Sequence, residues 1–363
     1  MQRLGIEIHG VRLNLSCNFD QLTDYLRHLL EPDLRPVWDS PDLEVTGTWR
    51  TGAPSDQASS PFQDEGAEDG FGKRMRLSQD ELVWFDTHRD KDLQLRFRQR
   101  GATRLFDVDY WYHPTEKKLA RVPDYLYRKF FTLTRQLVHF PIAWHLGRTR
   151  GWVLIHASAV AAGSEAILVA GPGGAGKTTT CVGLMGRPGV RLVTENLLFT
   201  DGEHVYPLFE PIRLTEDTQA LLDERQLSAL VPLGVAGGSK HKTLYHLPHD
   251  ADGISVRPVA VFIPKFTDEG FVKPMSAGVA AELVNASNRL TLELNDYDWY
   301  TAALDLLWPD PGHAARQVDV IRRLTEGTSC YALGIDRSAG VSAVVDRIVD
   351  CVGWAQPAVG TTL

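Results

Sequence analysis

The residues of this chain best suited to chemistry are the eight of GPGGAGKT, Gly171–Thr178. They fit G-x-x-x-x-G-K-[ST], a spacing in which every part has a physical task. Gly171, Gly173, Gly174 and Gly176 reach dihedrals that a Cβ discourages, and they leave room for an anion beside the backbone. With Ala175 among them, the loop turns successive N–H groups inward, and the start of the following helix adds partial positive charge. Lys177 is expected to reach the β- and γ-phosphates and Thr178 to set its hydroxyl on magnesium, with Thr179 continuing the phosphate-binding run. The expected ligands are ATP and Mg2+.

A phosphate cradle names no reaction. Transfer also needs a carboxylate for the metal and a group that handles the attacking nucleophile. Two acids follow: Glu195 in RLVTEN, with Asn196 beside it, and Asp201 in LLFTDG. Asp201 precedes Gly202, a pair that suits a hairpin turn and so needs no further role. Glu195 is therefore preferred, and with Thr178 it forms the expected metal set. His156, in LIHASAV, is either a satisfied core histidine or a catalytic one. GVAGGSKHKTLYHLP puts Lys240, His241 and Lys242 on a glycine-rich loop. Such a loop is either a solvated surface or a cover whose lysines neutralise charge during transfer. Arg213, in EPIRL, is a further candidate for phosphate or substrate contact.

The elements that must hold these residues are readable from hydrophobic period. WVLIHASAVA and EAILVAG read as strands, the second running into the glycine loop, and KTTTCVGLMG as the helix after it. VRLVTENLLFT and HVYPLF read as strands joined at Asp201-Gly202, EDTQALLDERQLSAL as a helix, and RPVAVFIPKF as a central strand. AARQVDVIRRLTE, SCYALGID and AGVSAVVDRIVDCVG complete a helix, strand and helix. Strands alternating with helices around a buried sheet predict an α/β domain over 148–356. Residues 1–147 read as a smaller α+β domain. There LGIEIHGVRLNL is a strand, DQLTDYLRHLL a helix stopped by Pro32 and Pro36, and 123–146 a helix with Pro141 as a kink point. Thr51–Gly72 is rich in Ser, Pro, Gly and acid and lacks Lys and Arg, so it reads as a mobile acidic loop.

Bulk properties narrow the partners. A formal net charge of -8 over 363 residues argues against a nucleic-acid backbone or an anionic membrane as principal partner. Arg96, Arg98 and Arg100 alternate with apolar residues and read as the wet face of a strand. The four cysteines, Cys17, Cys181, Cys330 and Cys351, show neither disulfide nor zinc spacing and suit reduced thiols. No leader and no apolar run of membrane-spanning length is seen, so the expectation is a cytoplasmic protein.

GWVLIHASAV, then GSEAILVAGPGGAGKTTT, then GVRLVTEN together resemble the HPr kinase/phosphorylase superfamily, especially its divergent members. The order is a strand with histidine and small residues, a P-loop, and a strand ending in an acidic pair. EPIRL at Glu210–Leu214, a lysine-bearing loop and RPVAVFIPKF extend the resemblance over about residues 150–355. It implies a P-loop fold related to phosphoenolpyruvate carboxykinase. It implies phosphate transfer from ATP to a peptide or protein serine or threonine or to a small molecule, and His156, Lys177, Thr178 and the acidic pair lining the site. Such proteins often form homo-oligomers, although nothing in the sequence itself demands an interface. The family pair is Asp-Asp, and here it is Glu195-Asn196. Asparagine has no basicity, yet its carbonyl can ligate a metal. Two readings follow: an ATP-dependent kinase whose first domain recognises the acceptor, with Glu195 or His156 as base and Asn196 and Lys242 in the catalytic set; or an ATP-binding regulatory module of the same fold that transfers nothing. A GTPase or transport ATPase is a third, and neither N-K-x-D nor L-S-G-G-Q is present.

Overall fold

The computed structural model describes residues 1–53, 69–70, 74–87, 91–122, 124–208, 210–222, 224–228, 230–233, 242–246 and 255–354. Lys240, His241 and most of the acidic 51–72 stretch lie outside the described residues. The described residues form two compact units, 1–149 with 296–311, and 150–233 with 242–295 and 312–354. Each is built on a large mixed sheet with helices, so the protein is α/β.

The first unit contains β1 (Gln2–Ile8), β2 (Val11–Cys17), α1 (Asp20–Leu29), β3 (Leu34–Arg35), β4 (Leu43–Thr51), β5 (Asp69–Gly70), β6 (Met75–Leu77), β7 (Glu81–Trp84), β8 (Leu93–Arg100), β9 (Thr103–Tyr112), α2 (Glu116–Arg121), α3 (Tyr125–Thr134) and α4 (Phe140–Arg150). The sheet order is β3-β1-β2-β4-β9-β8-β7-β6-β5. LGIEIHGVRLNL is a hairpin rather than one strand. His9 (φ 50) and Gly10 (φ 73) are both left-handed, the backbone of a type I′ turn that matches strand twist. In β4 burial alternates through Leu43, Val45, Gly47 and Trp49, as a strand with one wet face requires. Arg96, Arg98 and Arg100 do stand on a wet strand face, paired with Glu81, Asp107 and Glu44 at 2.8, 2.5 and 2.5 Å. The expected 123–146 helix is interrupted by a π turn at Arg135–His139, just before Pro141. The local widening precedes the residue that lacks a donor. Tyr300 and Trp308 pack edge-on against Phe97 and Phe106. Residues 296–311, left in the second domain by the sequence reading, therefore belong to this unit's aromatic core.

The second unit contains β10 (Val153–Ala162), β11 (Glu165–Ala170), α5 (Lys177–Met185), β12 (Val190–Thr194), β13 (Leu197–Thr200), β14 (Val205–Pro207), β15 (Ile212–Thr215), α6 (Glu216–Gln219), α7 (Glu224–Ser228), β16 (Lys242–Tyr245), β17 (Arg257–Phe266), β18 (Phe271–Pro274), α8 (Ala277–Arg289), α9 (Leu292–Leu307, completed in the first unit), α10 (His313–Glu326), β19 (Ser329–Ile335) and α11 (Gly340–Val352). The order β14-β13-β10-β11-β17-β19-β18 leaves β12 as a third partner of β10. β11, β17 and β19 run parallel, while β10 is antiparallel to β11. β10 is buried along all but its last residue, which explains its near-continuous apolar and small sequence. β15 and β16 form a separate two-stranded ribbon.

Three expectations change here. VRLVTENLLFT is two strands broken at Glu195-Asn196. The predicted helix over EDTQALLDERQLSAL is two short ones, α6 and α7, and Lys242 begins a strand instead of lying in a loop. Among the described residues no helix is long and apolar enough to cross a membrane. All four cysteines are free, and Cys17, Cys181 and Cys330 are buried.

Candidate functional site

The phosphate-type loop joins β11 to α5. Ala170 ends a buried strand, and Gly176 caps the helix with φ 92. Gly174 is also left-handed, at φ 79. A side chain at either position would carry a conformational penalty. At Gly176 it would also meet Ile335 Cδ1 at 3.1 Å, whereas nothing lies within 4 Å of a Cβ placed on Gly173. The loop is thus tight against the sheet on one side and open on the other. Lys177 folds back over it, donating to the carbonyls of Gly171 at 2.9 Å and Pro172 at 3.0 Å. Burial pulls its amine down to about 8, and Glu195 only partly restores it. A cation so placed is short of negative charge.

Glu195 and Asn196 sit where the chain leaves β12 and enters β13. Both strands pair with β10, β12 along Ala159–Ala162 and β13 along Val153–His156. Between them the ladder is interrupted, and the Ser158 hydroxyl donates to the Glu195 carbonyl that the break leaves over. The break aims the Glu195 side chain at the loop. Thr178 Oγ1 donates to Glu195 Oε1 at 2.5 Å, and Arg213 Nε lies 3.5 Å from Oε2. Oε2 is buried and makes no hydrogen bond. Asn196 takes a different direction and donates from Nδ2 to Glu210 Oε2 at 2.7 Å. Asp201 is a turn residue. Its Oδ1 accepts from the N–H groups of Glu203 and His204 and its Oδ2 from the Tyr206 hydroxyl, within a four-residue connection longer than the two-residue turn expected.

Arg213, on β15, is enclosed between Glu195 and Glu293, the latter at 3.7 Å from Nη1. Burial alone lowers its pKa. Glu195, Glu210 and Glu293 outweigh that and hold the guanidinium above its ordinary value. Lys242 faces Thr215 across the ribbon. Burial, with Arg213 nearby, lowers its amine. His156 is buried, and its backbone N–H donates to Asn288 Oδ1 at 3.0 Å. Its Nδ1 lies 2.7 Å from Thr291 Oγ1, which itself donates to the Ser287 carbonyl. The Thr291 proton being spent there, Nδ1 carries the imidazole hydrogen and Nε2 keeps a lone pair. Burial and then Lys177 lower this histidine to about 4, so it is neutral at pH 7.

A cleft of about 500 Å³ opens over these groups. Gly174, Gly176, Lys177, Thr178 and Thr179 line it, together with Arg213 and Lys242. The structure therefore brings together the loop, Lys177, Thr178, Thr179, Glu195, Arg213 and Lys242. It sets His156 and Asn196 behind them as buried partners of Thr291 and Glu210. Ala175 is buried within the loop turn, its N–H donating to the Pro172 carbonyl.

Sequence reasoning missed Glu293, Asn288 and Thr291, because α8 and the start of α9 were not recognised. The signal was present in AGVAAELVNASNR: Ala280, Ala281, Val284, Ser287 and Asn288 are the buried positions of α8, a helical spacing. Glu210 was noticed only as part of EPIRL.

No known family model matches the chain, and no curated protein sequence is significantly similar to it.

Proposed function

We propose that this protein is a magnesium-dependent phosphotransferase that moves the γ-phosphate of ATP to a hydroxyl of a peptide or protein Ser/Thr or of a small molecule, on a P-loop domain of the HPr-kinase-like type. The observation that carries the reading is the Thr178–Glu195 contact at 2.5 Å beneath the glycine loop. It brings together the hydroxyl and the carboxylate that a P-loop site uses for its metal.

Magnesium fits the residues present. Thr178 Oγ1 and the Glu195 carboxylate adjoin, and Oε2 is a buried oxygen with no hydrogen bond. Among the described residues no three His, Cys, Asp or Glu side chains converge into a cage. Magnesium held jointly with phosphates needs only one or two protein carboxylates. Bound there, the ion would neutralise charge on the phosphates.

The remaining work falls to the chain. Loop N–H groups and the α5 terminus receive phosphate oxygens. Lys177, freed from two carbonyls, gains the negative partner that burial has denied it. Arg213 and Lys242 offer positive charge where the transferred group becomes electron-rich. Of the two candidate bases Glu195 is the one that stands at the loop, against Thr178, whereas His156 is a buried partner of Thr291. His156 Nε2 instead offers an acceptor that orients a donor. Asn196 is not a base; it fixes the carboxylate of Glu210. That arrangement keeps alive the second reading, an ATP-binding module that transfers nothing, because the position after Glu195 offers no carboxylate of its own.

Incubation with γ-labelled ATP, magnesium and an extract of acceptor peptides and metabolites tests the proposal, with Lys177→Ala and Glu195→Gln in parallel. Label on one acceptor, lost in both variants, is the expected result. Magnesium-dependent ATP binding with no transfer to any acceptor would favour the module. No ATP binding would overturn both.

A further inference from the structure

The cleft over the glycine loop is lined by two chemically different sets of side chains. Lys177, Thr178, Arg213 and Lys242 are polar or cationic, and Phe266, Ile335, Val341 and Val344, from the end of β17, the end of β19 and the first turns of α11, are apolar. The apolar set adjoins the loop directly: a Cβ on Gly176 would lie 3.1 Å from Ile335 Cδ1 and 3.8 Å from the Phe266 ring. Phe266 is 48% exposed and Leu221, also lining the cleft, 52%. Large apolar side chains left this open inside a concave site suggest a flat apolar ligand group. The Arg337 guanidinium lies 5.2 Å from the centre of the Phe266 ring, which adds a second planar surface, and a cationic one.

We propose that Phe266, with Arg337, Ile335 and Val341, forms a stacking platform for the purine base of the nucleotide, and that the platform discriminates poorly between adenine and guanine. This rests on the nucleotide reading above. The distribution of chemistry supports it. A nucleoside triphosphate carries both anionic phosphates and a flat aromatic base, and the cleft offers cationic and exposed apolar side chains together, with a volume in the range of small-molecule sites. The second half of the inference comes from what lines the cleft. Adenine and guanine differ in the donors and acceptors on their edges, and the planar amides of Asn and Gln read the difference most directly. No Asn or Gln side chain lines the cleft among the described residues. Thr215 and Thr218 bond one another at 3.0 Å. Of the two acids there, Asp217 is exposed on α6, and Asp336 already accepts from Ser338, from its N–H at 2.8 Å and its hydroxyl at 2.6 Å. Stacking remains, and every purine has a face to stack.

Direct binding by calorimetry, with magnesium present, would compare ATP, GTP and inorganic tripolyphosphate on the full chain and on Phe266→Ala and Phe266→Trp. ATP and GTP are expected to bind within about fivefold of one another and at least about tenfold more tightly than tripolyphosphate, the scale of one base–aromatic stack. Phe266→Ala should weaken both nucleotides about tenfold and leave tripolyphosphate unchanged, while Phe266→Trp should keep nucleotide affinity. If Phe266→Ala weakens all three ligands equally, the ring only supports the loop and the platform is wrong. If ATP and GTP differ by a hundredfold, base indifference is wrong. Binding of all three with equal affinity would remove the platform but leave the phosphate site standing. Failure of tripolyphosphate and nucleotides alike would remove the nucleotide reading itself, and this inference with it.

Discussion

Replacing Lys177 with methionine should make the ligand-free protein more stable and at the same time abolish its response to ATP. Met keeps most of the length and apolar stem of the side chain but carries no charge. The wild-type amine falls from an ordinary 10.5 to about 8, chiefly through burial. At about 1.4 kcal/mol per pH unit, the protonated amine costs about 3 kcal/mol at neutral pH. The carbonyls of Gly171 and Pro172 already act against that cost and vanish as partners in the variant. The net gain expected is therefore about 1–3 kcal/mol. The sign of the pH dependence follows. Below pH 8 both folded and unfolded chains carry the proton, and the penalty is full. Between 8 and 10.5 the unfolded chain holds the proton that the folded chain has released, so wild-type stability rises toward that of the variant. Urea unfolding of both proteins at pH 7 and at pH 10, with and without magnesium and ATP, measures all of this. ATP at a hundred times its Kd should add about 2.7 kcal/mol to the wild type and nothing to Lys177→Met. A variant less stable than wild type at pH 7, or a gap that widens at pH 10, would refute the argument that Lys177 is a charge waiting for an anion.

Glu195→Gln preserves an acceptor for Thr178 while removing the charge. Phosphate transfer should fall by about 10²–10³-fold with nucleotide affinity changed by less than about tenfold, measured by single-turnover kinetics beside calorimetry. Asn196→Asp would restore the acidic pair of the resembling family but set a second carboxylate 2.7 Å from Glu210 Oε2. It should destabilise the protein by about 3 kcal/mol at pH 7. The loss should shrink as the pH falls toward 5 and the pair takes up a shared proton, which denaturation at both pH values would show. His156, held at about 4 against an ordinary 6.5, stays neutral in the folded state while the unfolded chain takes a proton. Wild type should therefore lose about 3 kcal/mol more stability than His156→Gln between pH 7.5 and 4. Its ring resonances should show no titration above pH 5.5 by NMR.

Much of the second unit was legible because its signals are local. β11 running into GPGGAGKT and then α5 is a strand, a turn and a helix start within twenty residues, each fixed by its own composition. RPVAVFIPKF is apolar enough to demand burial on both faces, and the structure makes it parallel to both neighbours. Errors fell where two local patterns compete. VRLVTENLLFT has a strand's composition throughout. Only β10, pairing with its two halves separately, shows that Glu195-Asn196 is a break. LGIEIHGVRLNL likewise hides a turn, because His9-Gly10 lacks the Asn-Gly or Asp-Gly signature of a two-residue hairpin.

By itself the sequence determined that this is an α/β protein with a glycine-rich loop between a strand and a helix, since dihedral freedom and hydrophobic period are properties of neighbouring residues. Beyond Glu195, tertiary structure alone decided which distant side chains complete that loop. The motif's need for a carboxylate already paired Glu195 with Thr178, but nothing in the chain's order says that Glu293 should balance Arg213 or that Thr291 should hold the proton position of His156. Those contacts are set by how α8 packs on β10 and by where the start of α9 and the β15–β16 ribbon bring Glu293 and Arg213 together. A buried charge or imidazole takes whatever partner packing places beside it, and sequence distance carries no information about that choice.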